Sequence, residues 1–387
     1  MYVGLSNLKR IYLLCNLKSH ILNNRGEFMN NKIINFGNIL INKNLDAILI
    51  KSKANKKYIN ALTGSGVKVL MTKDKIYQIM DGRYINEANN LKYNFENIVY
   101  EQGESYINIL KKLLKLGSKI GVESKNTLFK DYINLKDIGL EIVLLEDELE
   151  FARSCKENDE IELIKKACEI TDKVFDLVLK EIKVGMSEIE LSALIQYFSI
   201  KNGASSMAFD TIVASGERGA MPHGRPTERT FKFGEFITID FGIVYKGYQS
   251  DMTRTVCIGK PSDEMVKIYN IVLKAQESGI KFIRSGLKGK EVDKHVRDII
   301  CSYGYGEYFT HGLGHGIGIG DGDFPILNNR SNTILEEGMV MSCEPGIYIE
   351  GVGGVRIEDD VLIENGIGVS LNKTSKELII LGEKYEI

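Results

Sequence analysis

The stretch "EFITIDFGIVYKGYQSDMTRTVCIG", residues 235–259, decides the fold. β-Branched and aromatic residues alternate with polar ones on both sides of Lys246-Gly247. That pattern predicts two strands joined by a tight turn. In this register Asp240 stands opposite Thr253, and Asp251 opposite Gly242. Asp240 and Asp251 then share one face as diagonal neighbours, ~7–8 Å apart at the backbone. An isolated Asp on a strand generally faces water. Asp240, however, sits among Phe236, Ile237, Ile239 and Phe241, which mark a buried strand. A buried carboxylate calls for a cation or hydrogen bonds.

Downstream, "HGLGHGIGIGDGDFP" (311–325) sets two histidines among six glycines. Read as extended chain, Gly314, Gly316, Gly318 and Gly320 share one face, and His315, Ile317 and Ile319 share the other. A glycine edge admits another backbone or a ligand at close range. Two further acids occupy β-like settings. Glu344 ends "MVMSCEPG", held extended by Pro345. Glu358 follows alternating Val355 and Ile357 in "GGVRIEDDVLI". Asp240, Asp251, His315, Glu344 and Glu358 together offer four carboxylates and one imidazole. Such a set suits two divalent ions of oxygen-preferring type, with four negative charges against four positive. A metal pair of that kind suits hydrolysis.

Outward from this core, "ENDEIELIKKACEITDKVFDLVLKEIKVG" (157–185) keeps its apolar residues on one helical face and ends at Gly185. Ser187 and Glu190 predict a capping box that opens the next helix. A third helix is expected after Ser262 and a fourth over about 289–302. β-Rich segments lie at 208–214, 230–258, 310–320 and 338–363. Helices segregated from a mostly antiparallel sheet make this half α+β. Between Met29 and about Glu150, strands are predicted at 45–52, 68–72, 76–80, 119–124 and 141–146. An amphipathic helix is predicted over 106–117, with Gly117 as its stop. This alternation describes a smaller α/β domain.

The totals narrow the function. At 387 residues, two domains are expected. A net charge of −2 argues against nucleic acid or a membrane surface as a partner held by bulk charge. No apolar run approaches the ~20 residues of a membrane span. The six cysteines form no C-x-x-C pair, which fits reduced thiols and a cytoplasmic chain. Residues 1–28 are basic and lack a secretory cleavage pattern; a transit peptide is compatible with them. "RGEF" before Met29 reads as a translated purine-rich tract, so the natural start is expected at Met29.

Six segments in order resemble the pita-bread metallopeptidases: "PHGRP" (222–226), "IDFG" (239–242), "SDMTRT" (250–255), "HGLGHGIGIG" (311–320), "EPGIYI" (344–349) and "GGVRIED" (353–359). The proline-specific branch is the nearest match, with "DGRY" (81–84) and "KKYINALTGS" (56–65) similar to its accessory domain. The resemblance implies a pita-bread catalytic domain over 151–387, preceded by a creatinase/prolidase-like α/β domain over 29–150. It implies five metal ligands, Asp240, Asp251, His315, Glu344 and Glu358, with Asp251 and Glu358 bridging. His223 and His311 would steady the substrate carbonyl, Glu344 would relay a proton, and Arg356 would orient carboxylates from behind. Two divalent ions are expected, Mn²⁺ first, with Co²⁺ or Zn²⁺ as alternatives. Peptides with proline second are the implied substrates, and a homodimer the implied assembly.

Two positions depart from the family pattern. Gly322 stands where a further histidine is usual, and Ile326 where some dipeptidases carry an arginine for the substrate carboxylate. On that ground an Xaa-Pro aminopeptidase is expected ahead of an Xaa-Pro dipeptidase. A binding protein without catalysis is the distant alternative; the full ligand set counts against it. Tyr248 is expected either to line the site or to pack, and His295 to be solvated.

Overall fold

The computed structural model describes residues 31–91, 95–320 and 323–382. The readings of residues 1–28 and of Gly322 lie outside them. The chain divides into two compact units, with the boundary between Ala152 and Arg153.

The first unit is built on a six-stranded sheet. Its order is Glu96–Val99, Ile76–Met80, Lys68–Thr72, Ala47–Ile50, Lys119–Glu123, Glu141–Leu145. Ala47–Ile50 pairs antiparallel with Lys68–Thr72 and parallel with Lys119–Glu123. All four of its residues are buried, as a central strand of a mixed sheet requires. The five strands expected from the sequence are present within two residues of their limits. The expected helix over 106–117 is shorter, Tyr106–Leu113. Leu114 turns extended, and Gly117 (φ 79°) sits in a separate turn, its amide donating to Gly139 O at 2.8 Å.

In the second unit, each of two helix pairs lies on a mostly antiparallel sheet. Asn158–Val178 and Glu188–Lys201 cover the sheet formed by Ile380–Leu381, Met252–Ile258, Phe236–Phe241 and Ile212–Ser215. Val174, Phe175, Leu191, Ile195, Ile237 and Ile239 share that core. Asp263–Phe282 and Gly289–Ser302 cover a five-stranded sheet that contains Val340–Cys343 and Asp359–Glu364. The caps follow the sequence: Ser187 and Glu190 form the capping box, and Ser262 Oγ accepts from Met265 N. The first helix stops at Val178 rather than near Gly185. Gly185 instead donates to Phe231 O at 2.9 Å, with φ at 87°.

The hairpin has the expected register, with Thr253 paired to Asp240 and Tyr245 to Tyr248. Lys246 (φ 49°) and Gly247 (φ 93°) make the turn. It is not one continuous ladder, however. Ile243–Tyr245 leaves to pair with Ser206–Met207 in a separate sheet. The break falls at Gly242, where a Cβ would lie 1.9 Å from Ser250 O. Only glycine tolerates that approach.

Candidate metal centre

Asp240 is the penultimate residue of the buried strand Phe236–Phe241, and Asp251 immediately precedes Met252–Ile258. The hairpin register therefore delivers both carboxylates to one face, where each is buried. His315 is the middle residue of Gly314–Gly316. A Cβ on Gly314 would meet Ser342 O at 2.1 Å, and one on Gly316 would meet the Phe324 backbone at 2.4 Å. The glycines thus admit neighbouring backbones, which clamp the strand and fix where His315 starts. Its Nε2 lies 3.6 Å from Asp251 Oδ2 and 3.6 Å from Glu344 Oε1.

Glu344 lies between Val340–Cys343 and Gly346–Ile349. Its amide donates to Leu313 O at 2.9 Å, and its Oε1 accepts from Ser342 Oγ at 3.0 Å. Glu358 lies between Gly353–Arg356 and Asp359–Glu364. Its amide donates to Thr253 O at 3.1 Å, and Thr253 Oγ1 donates to its Oε2 at 2.6 Å. Ligand atoms of Asp251, His315 and Glu358 all fall within 4.8 Å of one another.

Three oxygens decide what this cluster is for. Asp240 Oδ1, Asp251 Oδ1 and Glu358 Oε1 are buried without a hydrogen-bond partner. Burial pushes all three carboxyls up from their ordinary values. Neighbouring carboxylates add to the push on Asp251 and Glu358, whereas Arg356 opposes it at Asp240. Buried acids that leave oxygens unpaired among like charges are costly unless a cation joins them. Four carboxylates and one imidazole make a donor set that divalent metals accept. The residues fit a metal centre.

Behind the carboxylates, Arg356 is buried and spends its donors on four partners. Nη2 donates to Asp240 Oδ2 at 2.6 Å and Nε to Thr253 Oγ1 at 3.0 Å. Nη1 donates to Tyr348 Oη at 2.9 Å and Pro222 O at 3.1 Å. His311 Nδ1 lies 2.7 Å from Gly312 O, which can only accept, so the ring proton belongs on Nδ1. Its Nε2 then accepts from Tyr348 Oη at 2.8 Å. Burial lowers the His311 pKa and favours the neutral ring. His223, His311 and the five ligand candidates all line one cavity of about 750 Å³.

Residues 162–365 match the model of metallopeptidase family M24, and residues 33–155 that of the creatinase/prolidase N-terminal domain. The chain belongs to metallopeptidase family M24. Its second unit has the pita-bread fold and its first the creatinase-type N-terminal fold. The structure superposes on the Xaa-Pro dipeptidase of Bacillus anthracis with a TM-score of 0.87. The two are 40% identical, over 91% of this chain and 99% of the other. An X-Pro aminopeptidase of Thermotoga maritima gives 0.81 at 36% identity, over 87% and 98% of the two chains. In sequence, the chain is 37% identical to the Xaa-Pro dipeptidase of Pyrococcus horikoshii, over 91% of this chain and 100% of that one.

Several residues of this M24 site escape sequence reasoning. Thr253 was legible in part, since the hairpin register sets it opposite Asp240. Tyr348 and Ser342 gave no signal, because their partners lie in other segments. Asp360 Oδ2 accepts from the Asp251 amide at 2.9 Å; burial raises its pKa to about 8. Tyr248 packs, buried, with its hydroxyl donating to Glu160 at 2.8 Å. The expectation of a solvated His295 is corrected. Its ring stacks on Phe282 with centroids 4.0 Å apart, and its Nε2 lies 2.8 Å from Ser278 Oγ.

Proposed function

We propose that this metallopeptidase is an Xaa-Pro dipeptidase using two divalent metal ions. The observation that carries the metallopeptidase reading is the convergence of Asp240, Asp251, His315, Glu344 and Glu358 around buried, unpaired oxygens. Full-length similarity to Xaa-Pro dipeptidases supports the dipeptidase over the aminopeptidase expected from Ile326 and Gly322. The similar Thermotoga X-Pro aminopeptidase keeps that second reading in the test.

Asp240, Asp251, His315, Glu344 and Glu358 would hold the ions. Mn²⁺ suits this oxygen-rich set, and Co²⁺ and Zn²⁺ accept similar donors. Bound there, the ions supply Lewis acidity and lower the pKa of water. Glu344 takes the proton of the attacking water and passes it to the proline nitrogen. That nitrogen carries no hydrogen of its own and must gain one as the C–N bond breaks and the new C–O bond forms. Arg356 and Thr253 hold Asp240 and Glu358 in place. His223 and His311 face the substrate carbonyl. For His311 this requires giving up the Tyr348 hydrogen bond and gaining a proton on Nε2, the nitrogen that accepts in the resting structure, because a carbonyl oxygen can only accept.

The test is hydrolysis of Ala-Pro and Ala-Pro-Ala by chelated, Mn²⁺-reconstituted protein. Release of proline from Ala-Pro in preference to tripeptide cleavage, abolished in Asp251→Asn, is the expected result. Preference for Ala-Pro-Ala would restore the aminopeptidase reading. Turnover of neither would refute both.

A further inference from the structure

A dipeptidase must find a partner for a carboxylate that follows directly on proline, and this cavity is already crowded with acids. Asp210, Asp240, Asp251, Glu344 and Glu358 all line it. Two permanently charged cations stand against them among the described lining residues, Arg225 and Arg356. Arg356 is 3% exposed and spends four of its five N–H donors on Asp240, Thr253, Tyr348 and Pro222. So deeply buried and so committed to its neighbours, it offers a ligand little. Ile326, in the same lining, brings no charge.

Arg225 is placed differently. Its backbone is held, because its carbonyl accepts from Arg218 Nη2 at 2.8 Å and Pro226 follows it. Its guanidinium pairs with Asp210 at 2.7 Å, and the two side chains are 77% and 72% exposed. An ion pair so open to water is weak and readily exchanged. A planar guanidinium also matches a carboxylate better than any other side chain. Arg225 lies two residues from His223, and both line the cavity.

From this placement we infer that Arg225 is a specificity-determining residue: it leaves Asp210 to bind the C-terminal carboxylate of an Xaa-Pro dipeptide. Asp210 is its resting partner, which keeps the cation paired until substrate arrives. In a longer peptide the same position holds a neutral amide, so the pairing is lost and dipeptides gain. The inference rests on the dipeptidase reading and adds the residue that enforces it.

The experiment compares Ala-Pro with Ala-Pro-NH₂, which differ only in the carboxylate. The ratio of their kcat/KM values is internal to each variant, so the fraction folded cancels. In Arg225→Ala the ratio falls about tenfold, through KM for Ala-Pro, and in Arg225→Lys it falls less. Asp210→Asn frees the arginine and raises the ratio. Calorimetric binding of the two peptides with their Ala-Pro carbonyl reduced gives the same ordering without turnover. An unaltered ratio in Arg225→Ala, alongside wild-type hydrolysis of Ala-Pro, overturns the assignment and leaves the dipeptidase reading standing. Wild-type failure on both peptides overturns the two together.

Discussion

Asp251→Asn separates a carboxylate kept for a cation from one kept for the fold. Asp251 Oδ1 has no partner, and Oδ2 lies 3.6 Å from His315 Nε2, too far for a hydrogen bond. The bond that Asp251 does make runs from its backbone amide to Asp360, and the substitution leaves it intact. The variant therefore forfeits no hydrogen bond. It also removes one charge within 4.8 Å of Glu358. Between two ionised carboxylates such a contact costs about 3–4 kcal/mol at an effective dielectric of 20. The metal-free variant is thus expected to melt at or above the metal-free wild type. With Mn²⁺ at a hundred times its Kd, the wild type gains ~2.7 kcal/mol. That raises Tm by roughly 5–10 °C for a unit of this size. The variant is expected to lose most of that shift. Scanning calorimetry at pH 7, with chelator and then with MnCl₂, reads both numbers. A metal-free variant that melts several degrees below wild type would show that Asp251 serves the fold. A full Mn²⁺ shift in the variant would remove Asp251 from the metal site.

Two further outcomes are expected. Arg356→Met leaves Asp240 Oδ2 without its cation and empties the hydrogen bonds to Thr253, Tyr348 and Pro222. The cost is about 3–5 kcal/mol in urea unfolding, with metal affinity ~10–100-fold weaker by calorimetric titration; unchanged affinity would show that Arg356 does not orient Asp240. Lys156→Met is expected to stabilise the protein. Lys156 is buried, its Nζ has no hydrogen-bond partner, and burial lowers its pKa despite Asp323 and Glu160 nearby, with Arg153 adding to the lowering. A lysine whose folded pKa lies below its unfolded 10.5 penalises folding at low pH and ceases to as pH rises to 10.5. The methionine variant should therefore gain on the order of 1–3 kcal/mol at pH 7, and the gain should shrink as pH climbs above the folded pKa. A gain independent of pH between 7 and 10.5 would refute the charge argument.

What the sequence determined by itself was whatever depends on near neighbours in the chain. The Lys246-Gly247 turn fixes the hairpin register, so Asp240 faces Thr253 wherever the hairpin packs. Ser187 and Glu190 sit three residues apart and close their own box. Helical periodicity assigned Val174 and Phe175 to a core face, although the helix ends at Val178. Motif order pointed to family M24 and to the residues that line the cavity. Tertiary structure decided the contacts between segments far apart in sequence. Arg356 reaches Asp240 across 116 residues and Thr253 across 103. His295 stacks on Phe282 because their two helices pack together. The glycines of 311–320 showed that something must come close. That it is the backbone of Ser342 and Phe324 follows from sheet pairing alone. Periodicity reports which face of an element turns inward; only packing says what meets it there.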